Sequence, residues 1–346
     1  MFPEKITSNY KIIKQIGQGA IGSVYLFENK NNKEKIAIKN IYIEELDKEQ
    51  IKKIKNETDY MRQFSNNENS IKLIDYIEED NNIYILMEYC EMNLDKYIKK
   101  RMKDNNPLKI IEIKNILIQL NNILESLWKI QFAHRDLKPS NILLKKIDDK
   151  EDNFIVKLSD YGNTKNFINS ITLQSKFKGT AIFKAPEILK NESNYNPIKA
   201  DLWSIGIIIY FMITGEYPFD SEIKINDEKK KIEIKIENNE NLNDLFKKLT
   251  YYNPEKRISY NDYFNHPFLK NKNIKIIFLG ECSCGKTSIV KKIIFNEFNI
   301  NHFSFFAYYV KLYINILNNI GIKKSCQKFK FRNMGYSRRR KVFINY

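Results

Sequence analysis

The N-terminal part of the chain alternates short runs of β-branched and aromatic residues with turn-forming and charged residues. Residues 10–16, 24–27, 35–39 and 83–89 each form such a run and predict strands. Residues 44–64 differ, because their apolar positions recur at multiples of three and four. This part of the chain is therefore predicted to hold several strands and one amphipathic helix.

Beyond Pro107 the pattern becomes helical. A long amphipathic helix is predicted by the apolar positions Ile110, Ile113, Leu117, Leu120, Leu124 and Leu127. Residues 222–243 are polar and of low complexity, which predicts a surface insertion. A strand-rich part followed by a larger helical part predicts two lobes with a cleft between them, the place where small ligands usually bind.

Bulk composition is typical of a globular protein. Hydrophobic residues make up 42% of the 346 residues and charged residues 29%. No apolar run reaches the roughly 18 residues that a membrane helix needs, and the N-terminus lacks the apolar core of a signal peptide. Only four cysteines occur, which are Cys90, Cys282, Cys284 and Cys326. We therefore expect no membrane span, and a reducing cytoplasmic or nuclear location for a protein that is not secreted.

The net charge of +16 is unevenly distributed along the chain. Residues 271–346 hold 15 Lys and Arg but only 2 Asp and Glu. The remainder of the chain is close to neutral, so the charge does not predict a nucleic-acid-binding surface on the main domain. Residues 338–341 form a basic cluster that would be ordinary as a nuclear signal or nucleic-acid patch, but no function is assigned to it, because it is read as part of an out-of-frame remnant.

A glycine cluster between the first two predicted strands is a candidate phosphate-binding loop. Gly17, Gly19 and Gly22 have the spacing GxGxxG, with Gln18 inside the loop. Glycine lets a backbone approach phosphate oxygens closely and present its N–H groups to them. In dinucleotide-binding folds this spacing opens a helix, whereas a strand follows here. Taken alone, the motif fits a glycine-rich hairpin without a ligand equally well.

A lysine and a glutamate could together hold those phosphates. Lys39 ends the predicted strand 35–39, where a lysine is often only an edge charge that reaches water. Over a bound nucleotide it would need a fixed carboxylate partner. Glu57 lies between Ile54 and Met61 at helical spacing, hence toward the buried face of its helix. The pattern therefore favours Glu57 over the other acidic residues of this helix.

The strongest signal is the stretch HRDLKPSN at residues 134–141, followed by SDYG at 159–162. With the glycine loop and the strand lysine in order before them, the sequence resembles the eukaryotic protein kinase family. Residues 179–187, 201–206 and 266–268 continue the resemblance. It implies an α+β bilobal fold over residues 10–270, with a small antiparallel-sheet lobe over about 10–90 and a helical lobe over about 91–270. It also implies ATP and Mg²⁺ as cofactors and a protein as substrate.

The resemblance implies a role for each matching residue. Asp136 would accept or orient the proton of the substrate hydroxyl, and Lys138 would neutralise charge on the transferred phosphoryl group. Asn141 and Asp160 would supply oxygen ligands to Mg²⁺. Lys39 and Glu57 would form an ion pair, and Glu187 would pair with Arg257. The implied nucleotide-binding residues are Gly17, Gln18, Gly19, Gly22, Val24, Ala37, Lys39, Met87, Glu88 and Cys90.

The same motifs indicate the serine/threonine type, through Lys138 and the Gly179–Thr180 pair. Candidate regulatory hydroxyls are Thr172, Ser175 and Thr180. Tyr161 stands where the family usually has phenylalanine, a departure that is expected to keep the aromatic packing. The alternative function is a catalytically weak pseudokinase scaffold, although none of its usual losses of lysine or aspartate occurs here. Neither the substrate nor the oligomeric state follows from the sequence.

A second motif follows the kinase-like region. The segment around residues 273–298 resembles the start of a Rab-type small GTPase, and its P-loop residues would be Gly280, Gly285, Lys286 and Thr287. Too few residues follow for a doubly wound sheet of the usual size. Residues 334–341 can be encoded by codons that, when read one base later, encode the switch motif of small GTPases. The extension 271–346 is therefore predicted to be an incomplete fragment, with a kinase–GTPase fusion as the alternative.

Overall fold

The computed structural model describes residues 2–19, 21–148, 153–166, 181–190, 195–219, 232, 234, 236 and 239–270, and the backbone of 275–277 and 343–345. The chain divides into two compact units, Met1–Lys270 and Asn271–Tyr346. In the second unit, two described strands, Lys275–Ile277 and Phe343–Asn345, pair antiparallel. All further description concerns the first unit.

The smaller lobe is built on an antiparallel five-stranded sheet. Its elements in chain order are α1 (Glu4–Thr7), β1 (Tyr10–Gln18), β2 (Ser23–Asn29), β3 (Lys35–Tyr42), α2 (Lys48–Gln63), β4 (Leu73–Glu79) and β5 (Asn82–Glu88). The strand order is β1-β2-β3-β5-β4, with every neighbouring pair antiparallel. Because strand side chains alternate between faces, Ile83 and Ile85 join the core that contains α2, whereas Tyr84 and Leu86 face the opposite side.

Helix α2 begins at Lys48, not at residue 44 as the periodicity predicted. Asp47 is the N-cap of the helix. Its own backbone is extended, and its carboxylate accepts a 2.8 Å hydrogen bond from the Gln50 N–H. The Gln50 side chain in turn accepts the Asp47 N–H at 2.9 Å, which completes a capping box. Leu46 lies eight residues before Ile54 and so keeps the helical spacing upstream of the cap, which is why periodicity alone could not place this boundary.

The N-terminal segment covers the face of the sheet opposite α2. Ile6 of α1 is fully buried in a cluster with Phe27 and Tyr84. The ring of Phe2 lies 5.0 Å from that of Phe27 and 5.1 Å from that of Tyr25, both edge to face. This segment was not predicted, because a four-residue helix carries no readable period.

The larger lobe is mainly helical, with short strands facing the cleft. Its described elements are β6 (Met92–Asn93), α3 (Leu94–Lys103), α4 (Ile110–Lys129), β7 (Phe132–Ala133), β8 (Ile142–Lys146), β9 (Phe154–Leu158), β10 (Lys165–Asn166), α5 (Pro186–Leu189), α6 (Pro197–Thr214), α7 (Glu240–Leu249) and α8 (Tyr260–Phe264). Strands β6, β8 and β9 form one small antiparallel sheet, and β7 pairs with β10. Residues 240–243, predicted to belong to a polar insertion, are the first turn of α7 instead.

Helix α6 lies at the centre of the larger lobe. It is long and apolar enough to cross a membrane by length and composition, yet 78% of it is buried inside the protein. Trp203 and Ile207 pack under α5, while Ile205 and Ile208 join the main core. The core helix of a globular protein can have the same length and composition as a membrane span. Because α6 is mostly buried inside the protein, it is read as a core helix. The predicted α+β bilobal fold is confirmed.

Candidate active site

The glycine cluster forms the hairpin between β1 and β2, at the edge of the smaller lobe. Gly17 pairs with Val24, and the Gly19 N–H donates a 2.8 Å hydrogen bond to the Gly22 carbonyl. A Cβ on Gly22 would lie 2.3 Å from the carbonyl oxygen of Asn40 on β3, so the fold itself requires glycine there. A Cβ on Gly17 would meet nothing closer than 3.5 Å. The fold therefore leaves Gly17 free for close approach of a ligand.

Lys39 and Glu57 meet between β3 and α2. The Lys39 ammonium lies 2.9 and 3.1 Å from the two carboxylate oxygens of Glu57, and both side chains are largely buried. Burial alone would lower the pKa of Lys39, but attraction to Glu57 and Asp160 outweighs it and raises that pKa. Lys39 thus carries its full positive charge into the cleft. Glu44, Glu45 and Glu49 are exposed.

The predicted adenine-pocket residues lie on neighbouring strands of the same sheet. In the register of the sheet, Ala37 of β3 is opposite Met87 of β5, and Val24 of β2 is opposite Lys39. Cys90 follows β5 in the segment that joins the lobes and is half-buried. Burial, with the nearby Glu88 carboxylate, raises the pKa of the Cys90 thiol to about 12. Cys90 is accordingly a neutral thiol at physiological pH.

Glu88 holds the start of this linking segment with its side chain, a role that the sequence did not suggest. Its buried carboxylate lies 2.9 Å from the Lys157 ammonium, 2.7 Å from the Lys145 ammonium and 2.8 Å from the backbone N–H of Lys72. Its own N–H donates to the Lys72 carbonyl at 3.0 Å. Lys157 within the apolar strand β9 was the one available signal, because a buried lysine requires a partner.

Residues 134–141, between β7 and β8, form the catalytic segment, and Asp201 of α6 fixes its start. The Asp201 carboxylate accepts the backbone N–H groups of His134 and Arg135, both at 2.8 Å, and the Trp128 indole N–H at 3.3 Å. Arg135 has a positive φ of 66°, a conformation that costs energy for a side chain of this size. The two hydrogen bonds to Asp201 hold this strained turn in place.

Three predicted catalytic residues cluster where this segment opens into the cleft. The Lys138 ammonium lies 2.8 Å from the Asp136 carboxylate. The Asn141 amide donates to the Asp136 backbone carbonyl at 2.9 Å and to its carboxylate at 3.2 Å. The side chain of Asp136 remains 19% exposed, so its carboxylate can receive a group from solvent. Both of these bonds use the Asn141 amide nitrogen, so its amide oxygen is not engaged by them.

Asp160 stands beside this cluster at the end of β9. Its backbone is left-handed, with φ 65° and ψ 68°. The preceding residue is tied to the catalytic segment, since both the N–H and the hydroxyl of Ser159 donate to the Asn141 carbonyl at 3.0 Å. Electrostatic attraction between Asp160 and Lys39 contributes to the raised pKa of that lysine. The structure therefore places Asp160 close to Lys39, and it ties the residue before Asp160 to the backbone of Asn141.

Tyr161 does more than keep aromatic packing. It is fully buried, stacks on Phe64 at 6.1 Å and meets the ring of His134 edge to face at 5.6 Å. Its hydroxyl also shares a 2.8 Å hydrogen bond with the hydroxyl of Ser70, just before β4. The departure from phenylalanine thus adds a polar contact that the sequence reading did not anticipate.

Glu187 and Arg257 form a buried ion pair under α5. The two guanidinium nitrogens lie 2.8 and 3.1 Å from the two carboxylate oxygens, and neither side chain is more than 1% exposed. The Arg257 guanidinium also lies over the Trp203 ring at 5.2 Å. Arg135 contacts this region too, because its guanidinium donates to the Tyr195 hydroxyl at 3.0 and 3.2 Å.

Two groups of predicted residues lie outside the described residues. Thr172, Ser175 and Thr180 fall in the segment 167–180. Gly280, Gly285, Lys286 and Thr287 fall in the segment 278–342. Their predicted roles therefore stay predictions.

The comparisons with known proteins agree with this arrangement. Residues 10–269 match the family model of the protein kinase domain. The chain is 34% identical over 280 residues to the serine/threonine-protein kinase atg1 of Dictyostelium discoideum, covering 78% of this chain and 40% of that protein. It is 30% identical over 274 residues to myosin light chain kinase A of the same organism, covering 76% and 89%. For the serine/threonine-protein kinase ATG1c of Arabidopsis thaliana, the identity is 29%, with 78% and 37% covered.

The chain belongs to the protein kinase domain family. The prediction of a kinase domain is confirmed, and two of these three relatives are named serine/threonine-protein kinases. The chain spans only 28 to 40% of the length of the first three curated relatives that it matches. The substrates of those longer proteins are therefore not assigned to this chain.

The residues of the cleft fit the nucleotide and metal that the family generally uses. Gly17 leaves space next to the backbone where a phosphate could approach, and Lys39 supplies a charged donor. Asn141 and Asp160 offer oxygen ligands, the type that Mg²⁺ prefers. Among the described residues, no cluster of three or more His, Cys, Asp or Glu side chains could hold a metal by itself. Mg²⁺ at nucleotide sites usually takes only one or two protein carboxylate or amide ligands beside phosphates and water, so Asn141 and Asp160 would suffice.

Proposed function

We propose that the chain is an active enzyme that transfers the ATP γ-phosphoryl group to serine and threonine hydroxyls of protein substrates. The observation that carries this proposal is the joint presence of Asp136, Lys138 and Asn141 in one hydrogen-bonded cluster beside Asp160. The relatives of the serine/threonine type support it. Retention of both aspartates and of the lysine weighs against a scaffold without catalysis.

Each residue of the cluster has a task that follows from its position. The Asp136 carboxylate, exposed to the cleft, accepts or orients the proton of the substrate hydroxyl. Lys138 and Lys39 place positive charge where phosphoryl oxygens bring negative charge. Asn141 and Asp160 would hold Mg²⁺, which would supply positive charge to the phosphates. Catalysis rests mainly on positioning and on charge neutralisation, because phosphoryl transfer needs little covalent help from the protein.

The nucleotide base is expected to lie between the strands of the smaller lobe and the segment after β5. Ala37, Val24 and Met87 would line that space, and backbone groups of residues 88–90 would hydrogen-bond the adenine. Gln18, in the glycine loop, is held by the Gln15 amide at 2.6 Å and by the Ser23 hydroxyl at 2.8 Å. These two contacts support a preformed loop for the phosphates.

The proposal is tested by assaying the chain with Mg-ATP on a degenerate peptide library. Asp136→Asn should abolish transfer and leave ATP binding intact, whereas Asp104→Asn, an exposed change outside the cleft, should preserve both. A chain that binds ATP but transfers no phosphate before any substitution is a pseudokinase scaffold, and the proposal would fail.

For the extension, we propose no second activity. Its resemblance to the start of a Rab-type GTPase rests on the P-loop sequence and on the switch motif permitted out of frame, and the family model that matches the chain ends at residue 269. Binding of a guanine nucleotide that is lost in Lys286→Ala but kept in Lys39→Ala would establish the fusion alternative. The expected location is the cytoplasm or nucleus, and the expected partner is a protein substrate without nucleic acid. Phosphorylation at Thr172, Ser175 or Thr180 is the expected means of regulation.

A further inference from the structure

Asp160 occupies a backbone conformation that needs support from its surroundings. Left-handed backbone is sparsely populated by residues other than glycine, and such strain persists only where neighbouring structure fixes it. The place of the Asp160 carboxylate close to Lys39 depends on this backbone conformation. The residues on either side of Asp160 should therefore be anchored.

Three consecutive residues before β4 anchor both sides. The Leu158 N–H donates to the Asn69 carbonyl at 2.8 Å, and the Ile71 N–H donates to the Leu158 carbonyl at 2.9 Å. These bonds fix the chain two residues before Asp160. Ser70, between them, reaches the Tyr161 hydroxyl at 2.8 Å and so fixes the residue directly after Asp160.

The anchoring segment is itself fixed to the larger lobe. The Asn67 amide donates to the Asn122 carbonyl at 3.1 Å and to the Ser126 hydroxyl at 3.0 Å, both on α4. The Asn122 amide donates back to the Asn69 side chain at 3.0 Å. The position of Ser70 is therefore fixed by hydrogen bonds that its neighbours make to the larger lobe.

We propose that Ser70 is a positioning residue, whose hydrogen bond to the Tyr161 hydroxyl keeps Asp160 facing the metal-binding site. Both hydroxyls are buried, with Ser70 only 1% exposed and Tyr161 fully enclosed. An outward movement of Tyr161 breaks this bond in a place without competing water, which makes that movement costlier than it would be for phenylalanine. The proposal rests on the proposed function in one respect, the assignment of Asp160 to Mg²⁺.

The experiment compares the full-length chain with Ser70→Ala, Tyr161→Phe and the double variant. Amide hydrogen exchange of residues 159–163, measured without nucleotide, reports local opening directly. Either single substitution should raise the opening equilibrium about three- to tenfold, the range for one lost buried hydrogen bond. The double variant should open no further than Tyr161→Phe, because that substitution already removes the bond to Ser70 together with the longer 3.4 Å bond from the Tyr161 hydroxyl to the Leu158 carbonyl. Equal exchange in all four chains overturns the proposal.

Tyr263→Phe is the matched control. Its hydroxyl is fully buried and donates to the Asn121 side chain at 2.8 Å, far along the chain in the larger lobe. It should lower the melting temperature as the Tyr161 change does, yet leave exchange at residues 159–163 unchanged. If Tyr263→Phe also accelerated exchange at residues 159–163, the effect of Ser70 would be one of general stability, and the positioning proposal would fail.

A second readout separates positioning from folding. If Asp160 faces the metal for a smaller fraction of the time, the Mg²⁺ concentration for half-maximal turnover should rise about two- to tenfold in Ser70→Ala. If Ser70→Ala is active and its Mg²⁺ concentration for half-maximal turnover is unchanged, the assignment of Ser70 as a positioning residue is overturned. If the wild-type chain transfers no phosphate, the proposed function fails, and the exchange measurement alone decides whether the Ser70–Tyr161 contact acts as inferred.

Discussion

The carboxylate of Glu88 lies 2.9 Å from the ammonium of Lys157, and both side chains are buried where β5 meets β9. Lys145 approaches the same carboxylate at 2.7 Å from a more exposed position. The pairing register of β8 and β9 makes the two lysines diagonal neighbours on one face of that hairpin. One buried carboxylate thus joins the segment between the lobes to the strand that leads into Asp160.

Glu88→Gln should destabilise the domain and weaken ATP binding. The substitution leaves the buried Lys157 ammonium without its charged partner, which should cost about 2–4 kcal/mol in the free energy of unfolding. Because the segment after β5 would lose its anchor, the KM for ATP should rise more than kcat falls. Urea unfolding and steady-state kinetics measure the two effects. Glu91→Gln, at an exposed neighbouring position whose carboxylate accepts the Lys146 N–H at 2.8 Å, should change neither.

The contribution of Glu88 should also depend on pH. Burial alone would raise its pKa, but hydrogen bonds from Lys145 and Lys157 outweigh burial and lower that pKa from its ordinary value of 4.5. A carboxyl with a lowered pKa in the folded state stabilises the protein above the unfolded value and loses that contribution as pH falls through the folded value. The stability difference between wild type and Glu88→Gln should therefore shrink below about pH 4.5. A difference that is constant from pH 7 to pH 3 would contradict this assignment.

The sequence could predict the Lys39–Glu57 contact but not the contacts of Glu88. Helical spacing placed Glu57 between Ile54 and Met61, and the buried face of α2 then had to meet the sheet that carries Lys39. Glu88 lies far in sequence from Lys145 and Lys157, and only the register of β8 and β9 brings both lysines to it. The Ser70–Tyr161 bond was missed for the same reason, because nothing local to either hydroxyl indicates its partner.

Lys39→Met should remove most of the catalytic activity, and it should also destabilise the smaller lobe, because it leaves the buried Glu57 carboxylate without its charged partner. The raised pKa of Lys39 means that its full positive charge faces the phosphates, and loss of one such preorganised group typically lowers kcat by about 10²- to 10³-fold. Adding Glu57→Gln should cost little further activity, because the two side chains act as one unit. Peptide phosphorylation with Mg-ATP measures both. Lys35→Met, exposed on the same strand, should retain wild-type turnover.

Ile6→Ala should destabilise the smaller lobe although it lies outside the residues that match the kinase family model. Ile6 is fully buried against the face of the sheet that α2 does not cover, so its truncation should cost about 2–4 kcal/mol. Ile13→Ala, at a position 45% exposed on β1, should cost about 0.5 kcal/mol or less. Equilibrium unfolding compares the two. Equal effects would show that the N-terminal segment does not contribute to the core.

Cys90 should resist alkylation despite its place beside the nucleotide-binding cleft. Burial, together with the negative charge of Glu88, raises the pKa of its thiol to about 12. Only the thiolate reacts, so at pH 8 the rate with iodoacetamide should be roughly a thousandfold below that of a thiol with a pKa near 9. Because each pH unit below the pKa changes the thiolate fraction tenfold, the rate should still rise tenfold between pH 9 and pH 10. Peptide-resolved mass spectrometry of the folded chain follows this residue apart from Cys282, Cys284 and Cys326. In Glu88→Gln the negative charge beside the thiol is absent, so Cys90 should react faster there; a slower reaction would contradict the electrostatic part of this account.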